Sequence, residues 1–388
     1  MRELTIDELI IYLRRRIIKK NLDFIAQAQN PWHALGINAS LNNSERGKSG
    51  VIILKPHGVS GLHVKKDNFR ITDQDEVEFI CLDLDRKVTF FETVAGAVST
   101  TTSFWKSRKV ANKQSNTVDI ITPTNPDQEI NRYRPYARIF ANKSVLRHAI
   151  PKYVFIDPGL SQIKTPPMNK GGENQIQSLT ERTLRWIYTS CEKTTSQRYF
   201  KRMPSTNLNL FQLSDGVLEV RKEAISDYRS ILPTISGEQK RGVVLTQPLV
   251  ELGILEKSDQ LELIRSPIQS LTDAEFEIFL KPHPREDPSI YEDLDKANDN
   301  LTLVTEHQEA IEAQLGDIDP SIVVGAFSSA LITCNALYDI PVFSNIRKIA
   351  ELTSLSGWQD YANLFLEIMQ GFVRPFDESA IEAKLNKQ

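Results

Sequence analysis

Short apolar runs closed by loop-forming residues recur along this chain. Val51-Ile52-Ile53-Leu54, the runs at 77–82 and 117–121, and Tyr153-Val154-Phe155-Ile156 each end at Gly, Pro, Asp or Asn, which predicts buried strands. Helix-compatible stretches separate several of them, so an α/β lobe over residues 1–165 is the economical reading. The paired prolines and glycines of 165–173 (Thr-Pro-Pro-Met-Asn-Lys-Gly-Gly-Glu) break both helix and strand and predict a linker. A second lobe is then expected over 174–388, opening with a helix at 177–190. Three strand-loop units follow in it. Gly242-Val243-Val244-Leu245 runs into Thr246-Gln247-Pro248, Phe276-Glu277-Ile278-Phe279-Leu280 into Lys281-Pro282-His283-Pro284, and Ser321-Ile322-Val323-Val324 into Gly325-Ala326-Phe327-Ser328-Ser329. These read as the carboxyl ends of parallel strands in an open sheet, where such folds bind ligands. The expected architecture is α/β, two Rossmann-type lobes with a cleft between them.

The opening segment has a different pattern. Leu9, Ile10, Leu13, Ile17 and Ile18 interleave with Arg14, Arg15, Arg16, Lys19 and Lys20, which predicts a basic amphipathic helix. Two readings stand side by side: a helix docked on its own lobe with a solvated basic face, or a peripheral contact with a membrane surface, which the family resemblance drawn below would extend to capsule assembly. No apolar run approaches a membrane span and the N-terminus lacks a signal-peptide pattern, so the expected location is the cytoplasm, or the inner face of the cytoplasmic membrane.

Composition narrows the classes. At 388 residues the chain is long for one core and comfortable as two domains. A hydrophobic fraction of 40%, a charged fraction of 25% and a formal net charge of -3 describe a globular protein with no global drive toward nucleic acid. Cys81, Cys191 and Cys334 are odd in number and far apart, which argues against a disulfide framework or a zinc site.

Candidate chemistry gathers at the strand ends of the second lobe. Ser328 and Ser329 follow a strand and a glycine and precede a predicted helix, so backbone N–H groups, the helix dipole and two hydroxyls can meet a phosphate there. A plain helix cap is the structural alternative. His283 is held between two prolines beside Lys281, on a rigid turn from which imidazole can give a hydrogen bond or a proton to a departing phosphate oxygen. On neighbouring strand ends the two elements would share one site. If a departing phosphate is displaced by a hydroxyl, a general base is also needed, and Asp157, which ends a first-lobe strand ahead of Pro158-Gly159, qualifies. Turn chemistry explains Asp157 equally well, and a hairpin turn explains Asp215.

Thr246-Gln247-Pro248, Lys281-Pro282-His283-Pro284 and Gly325-Ala326-Phe327-Ser328-Ser329-Ala330-Leu331, in that order, resemble the donor lobe of bacterial sialyltransferases of GT-B fold, including capsule polysialyltransferases and lipooligosaccharide sialyltransferases. The resemblance covers roughly 153–337 and is most specific in its last third. It implies an inverting, metal-independent transfer from CMP-sialic acid, with no cofactor. By the same resemblance His283 is the general acid or phosphate stabiliser, and Ser328 and Ser329 bind the CMP phosphate. Glu312, with Glu309 as runner-up, holds the ribose. Lys281, Pro284, Thr246 and Gln247 complete the donor-side set. The base motif of these enzymes is an acidic pair followed by glycine; here proline replaces the second acid after Asp157.

An anionic glycan acceptor would need a basic groove, for which Lys106-Ser107-Arg108-Lys109, Arg132 and Arg134, and Arg198 and Lys201 are candidates, each also readable as a solvated cluster. Asp83-Leu84-Asp85 has the spacing of a metal-binding carboxylate pair but lies in the opposite lobe and is followed by Arg86 and Lys87, so no metal site is expected. The alternatives are another GT-B transferase using a CMP- or CDP-activated donor, such as a Kdo or polyol-phosphate transferase, and a non-catalytic glycan-binding relative.

Overall fold

The computed structural model describes residues 2–4, 6–19, 22–42, 48–54, 64–70, 76–82, 117–123, 150–156, 205–214, 217–304 and 310–377. Two parallel sheets organise them. In the first, strands β1 (Arg2–Leu4), β2 (Phe24–Ala28), β3 (Ser49–Leu54), β4 (Glu76–Leu82), β5 (Thr117–Thr122), β6 (Ile150–Ile156) and β7 (Ser205–Leu208) lie in the order β1-β4-β3-β2-β5-β6-β7. Leaving aside the edge strand β1, this is the doubly wound order 3-2-1-4-5-6. Parallel strands are covered on both faces, which is why β3 reads as an unbroken apolar run and Val51, Ile52 and Ile53 are all buried. Ile52 and Leu54 pack with Phe24, Ala26, Val154 and Ile156, and with Ala34 and Ile37 of the helix Pro31–Asn42. Gly50 is dictated by this packing, since a Cβ there would fall 2.1 Å from the Phe24 ring.

The amphipathic opening segment is a helix, Ile6–Ile18. Leu9, Leu13 and Ile17 are buried, and Arg16 reaches Glu78 on β4 at 3.4 Å and the Ser49 hydroxyl on β3 at 3.0 Å. The helix is thus docked on its own sheet. Its outward stripe carries Ile11 and Ile18, 53% and 49% exposed, with Arg14, Arg15 and Lys19. No helix among the described residues is long and apolar enough to cross a membrane.

The second sheet contains β10 (Arg241–Leu245), β11 (Glu277–Lys281), β12 (Leu301–Leu303), β13 (Ile322–Gly325), β14 (Val342–Ser344) and β15 (Arg374–Pro375). Their order is β12-β11-β10-β13-β14-β15, again 3-2-1-4-5-6 and parallel throughout. Val244, Ile278, Leu280 and Val324 pack under the helix Lys257–Asp273 through Ile264, Ile268 and Leu271. A hairpin of β8 (Phe211–Ser214) and β9 (Val217–Val220) precedes this sheet.

The chain divides into two compact units, the first holding the segment Glu173–Leu210 and the second Phe211–Gln388. The boundary therefore differs from the linker expected at 165–173. Strand β7 pairs in parallel with β6, Tyr153 opposite Ser205 through Ile156 opposite Leu208, so the first sheet continues well past residue 174. Local breakers show where a chain turns, whereas sheet membership is decided by pairing with a strand about fifty residues back, which no local pattern encodes. The helix expected at 177–190 lies outside the described residues.

Candidate active site

In the 3-2-1-4-5-6 order the strand sequence reverses between β10 and β13, and the crevice beyond the carboxyl ends at that reversal is where doubly wound sheets bind their ligands. The three motifs stand there. Leu245 pairs with Lys281 on one side and with Gly325 on the other, so the loops that start at Thr246, Pro282 and Ala326 leave three adjacent strands at one level.

The serine loop is fixed from beneath. A Cβ on Gly325 would lie 3.1 Å from the Leu245 Cβ and carbonyl oxygen, so a larger residue would push β10 and β13 apart by a few tenths of an ångström. Asn345 N–H donates to the Gly325 carbonyl at 2.9 Å and the Ser344 hydroxyl donates to that of Ala326. Phe327 packs on Trp358 and Tyr361, with ring centroids 5.7 and 6.2 Å away. Ser328 caps the helix Ser329–Tyr338, its Oγ accepting the Ala330 N–H at 3.2 Å. Ser329 is exposed at the first turn, and no hydrogen bond to its hydroxyl is found among the described residues. The two serines thus differ: Ser328 shapes the helix start and Ser329 presents its hydroxyl to solvent.

The Lys-Pro-His-Pro turn is held just as closely. His283 N–H donates to Thr246 Oγ1 at 3.0 Å and to Glu286 Oε2 at 2.5 Å, and the Glu286 N–H returns to the His283 carbonyl at 2.9 Å. Within the ring, Nδ1 accepts the Arg285 N–H at 3.2 Å, which leaves the proton of a neutral imidazole on Nε2. Burial, then the neighbouring Arg285 and Lys281 charges, push the His283 pKa down to about 3. His283 is therefore a neutral ring whose one N–H is available to an acceptor. Lys281 is buried at 4% exposure. Arg285 is partly buried, and no hydrogen-bond partner of its Nε is found among the described residues.

Thr246 is buried, and its hydroxyl is committed to the turn: it donates to Glu286 and accepts from His283. Gln247 folds back so that Nε2 donates to the Thr246 carbonyl at 2.9 Å, and Pro284 is partly exposed. Glu312, from the helix Ile311–Ile318, is buried at 5% exposure and accepts the Thr333 hydroxyl of the serine helix. Burial pushes its carboxyl pKa up, against the pull of Thr333 and Lys281. Glu312 thus lies at the junction of the serine helix with Lys281. Glu286, Arg285, Gln260 and Tyr291 were not singled out in the sequence; the available signal was a carboxylate three residues beyond a proline-flanked histidine. Asp157, Glu309, Arg132, Arg134, Arg198 and Lys201 lie outside the described residues, as do Asp83, Asp85, Asp215 and the 106–109 cluster. Cys81 and Cys334 are free thiols, and no cluster of three metal-ligating side chains occurs among the described residues.

The two doubly wound Rossmann-type sheets are those of a GT-B fold, and a family match made on the second of them identifies a glycosyltransferase. Residues 197–347 match the family model alpha-2,8-polysialyltransferase (POLYST), a segment that takes in every described motif of the site. The resemblance to bacterial sialyltransferases drawn from those motifs is borne out by that match. No curated protein sequence matches the chain. Among solved structures, the chain is similar to an alpha/beta-galactoside alpha-2,3-sialyltransferase of Photobacterium phosphoreum, at 11% identity over 92% of this chain and 98% of that one, with a TM-score of 0.44. It is also similar to the GT-B domain of a Photobacterium damselae sialyltransferase, at 13% identity, 91% and 100% coverage and a TM-score of 0.35. The UDP-GlcNAc 2-epimerase of Methanocaldococcus jannaschii stands alongside, at 10% identity, 95% and 93% coverage and the same TM-score of 0.35. With scores below 0.5, none of these likenesses bears on the reaction.

Proposed function

We propose that the chain transfers sialic acid from CMP-sialic acid to a glycan acceptor with inversion, without a metal or cofactor, and that it extends sialylated acceptors. The observation that carries this reading is the convergence, on three adjacent strand ends of a polysialyltransferase-matching segment, of a neutral His283 N–H and the exposed Ser329 at a helix N-terminus. In the proposed step an acceptor hydroxyl oxygen bonds to the anomeric carbon as the bond from that carbon to the CMP phosphate oxygen breaks. The hydroxyl proton passes to Asp157, and the phosphate carries away the bonding electrons. His283 Nε2–H and Ser329 stabilise the charge that grows on the phosphate, with Lys281 and Arg285 as the neighbouring cations. Protein donors of this kind can take the place of a divalent ion at the leaving group, which supports metal independence. Glu312 positions the serine helix and meets the ribose, and Thr246, Gln247 and Pro284 line the nucleotide side. Arg132, Arg134, Arg198 and Lys201 are proposed for an anionic acceptor.

The test is product formation from CMP-sialic acid with short sialylated acceptors, in the presence of EDTA. Transfer is expected from CMP-sialic acid and not from CMP-Kdo or CDP-glycerol. His283→Ala and Asp157→Asn are each expected to lower kcat by about 100-fold or more while CMP binding survives, in line with typical losses of an oxyanion-type donor or a general base. Turnover of CMP-Kdo or CDP-glycerol in place of CMP-sialic acid would refute the donor assignment, and loss of transfer in EDTA would refute metal independence. The outward stripe of the first helix supports one further element of the reading, peripheral contact with an anionic membrane surface.

A further inference from the structure

Three residues beyond His283, the Glu286 carboxyl is buried at 4% exposure; four hydrogen-bond donors meet its two oxygens, while burial, and more weakly the Glu251 charge, push its pKa up. Its Oε2 accepts from the His283 N–H and the Thr246 hydroxyl. Its Oε1 accepts from the Tyr291 hydroxyl at 2.6 Å and from the Gln260 amide. The amide orientation of Gln260 is fixed, because its Oε1 takes the Val250 N–H at 3.1 Å. Thr246 is fixed as well, since its proton goes to Glu286 while its oxygen accepts from His283. Among the described residues the contacts found for Glu286 are these hydrogen bonds, and no ion pair with Lys or Arg is found there. A group that accepts on both oxygens from four donors must be a carboxylate, for an amide would set its own N–H₂ against two of them.

The network joins the loop after β10, the Lys-Pro-His-Pro turn, the Lys257–Asp273 helix and the turn Pro288–Tyr291. It grips the turn at the backbone N–H of the histidine itself. With the prolines on either side, this fixes the backbone from which the imidazole projects, and the Arg285 N–H on Nδ1 holds the ring itself and sets which nitrogen bears the proton.

We propose that Glu286 is the positioning residue of this site, directing His283 Nε2–H at the leaving phosphate, a role that rests on the donor reading given above. Glu286 touches neither donor nor acceptor in this scheme and acts only through His283. The experiment uses the full chain and the variants Glu286→Gln, Tyr291→Phe, His283→Ala and the double variant His283→Ala with Glu286→Gln. Thermal melts establish the folded state, calorimetry gives CMP affinity, steady-state kinetics give kcat and KM with CMP-sialic acid, and NMR follows the His283 ring signals.

Glu286→Gln is expected to lower kcat about 10- to 100-fold, the usual consequence of a small misplacement of a catalytic group, with KM and CMP affinity changed less than about threefold. Tyr291→Phe, which removes one donor and keeps the shape, is expected to lower kcat a few-fold and serves if Glu286→Gln does not fold. In the His283→Ala background Glu286→Gln should cost no further activity, since the group it directs is gone. The His283 ring signals should be single and sharp in the parent chain and shifted or averaged in Glu286→Gln. A folded Glu286→Gln chain with the parent kcat would overturn the proposal, as would an undiminished loss in the His283→Ala background. Should the parent chain fail to turn over CMP-sialic acid, the donor reading falls, and the NMR comparison still decides whether Glu286 directs the ring: unchanged His283 signals in Glu286→Gln would end that claim separately.

Discussion

His283 behaves unlike a free histidine because its two ring nitrogens have different duties. Nδ1 is occupied by the Arg285 N–H, so protonation there would break a hydrogen bond inside a buried turn flanked by two cations, and the pKa falls to about 3. Two expectations follow for pH. The ring stays neutral from pH 5 to 9, so kcat/KM should show no limb near pH 6.5 that vanishes in His283→Gln; such a limb would mean the ring acts as a proton donor. For stability, a lowered histidine pKa means that below the ordinary value of 6.5 the unfolded chain takes up a proton that the folded chain refuses. Stability from this residue is therefore whole above about pH 6.5 and declines as pH falls toward 3. Glu286 and Glu312 act in the opposite sense, since burial raises their pKa values and folding then favours their protonated forms. The comparison of parent with His283→Gln isolates the histidine: between pH 7 and pH 5 the variant should lose less stability in urea melts. An equal loss in both would show that the turn leaves the ring pKa unshifted.

At the scale of elements, the serine helix separates capping from binding. Ser328 accepts the Ala330 N–H and Ser329 does not cap, so Ser328→Ala should cost about 1 kcal/mol of stability, typical of a lost N-cap. Ser329→Ala should leave the melt unchanged and weaken CMP binding; the reverse pattern would exchange their roles. The first helix is the second case, for its inward stripe of Leu9, Leu13 and Ile17 accounts for docking and leaves Ile11 and Ile18 among basic residues without a structural duty. Ile11→Ser with Ile18→Ser should abolish flotation with anionic vesicles and leave transfer to soluble acceptors intact, while retained flotation would remove the membrane from the picture. Both elements were legible in sequence, as were β3 to β6, β10, β11 and β13, because each is an apolar run or stripe with a clear stop. Strand β2 was not: Phe-Ile-Ala-Gln-Ala looks too weak, yet Gln27 is buried with the rest. The short strands β7, β12 and β14 draw their stability from neighbours that no local window includes. Glu286 escaped for the same reason, since a glutamate after an arginine reads as surface charge until Gln260, 26 positions away, is seen to close over it.

For the whole molecule, the repeated 3-2-1-4-5-6 order gives the chain two strand reversals, one between β2 and β5 and one between β10 and β13, and either could take a nucleotide by topology alone. Chemistry separates them. The second reversal carries His283, Ser329, Lys281 and Arg285, whose Nε has no partner among the described residues, all suited to a phosphate. The first has Asn30 Oδ1 accepting the His33 N–H at the start of the Pro31–Asn42 helix and Gln29 N–H donating to the His33 ring, groups already paired with one another. Hydrogen exchange on the full chain can read the difference. CMP at about 100 times its Kd adds roughly 2.7 kcal/mol to the stability of whichever state binds it, and locally suppresses the openings that let amides exchange. Slowed exchange is expected at residues 246–250, 282–286 and 328–333, with little change at 29–33 and 48–54. The size of the effect should fall in Ser329→Ala and stay full in Glu286→Gln, because the latter disturbs direction more than affinity. Protection confined to 29–33 would move the donor to the first unit and leave His283 without the leaving group assigned to it.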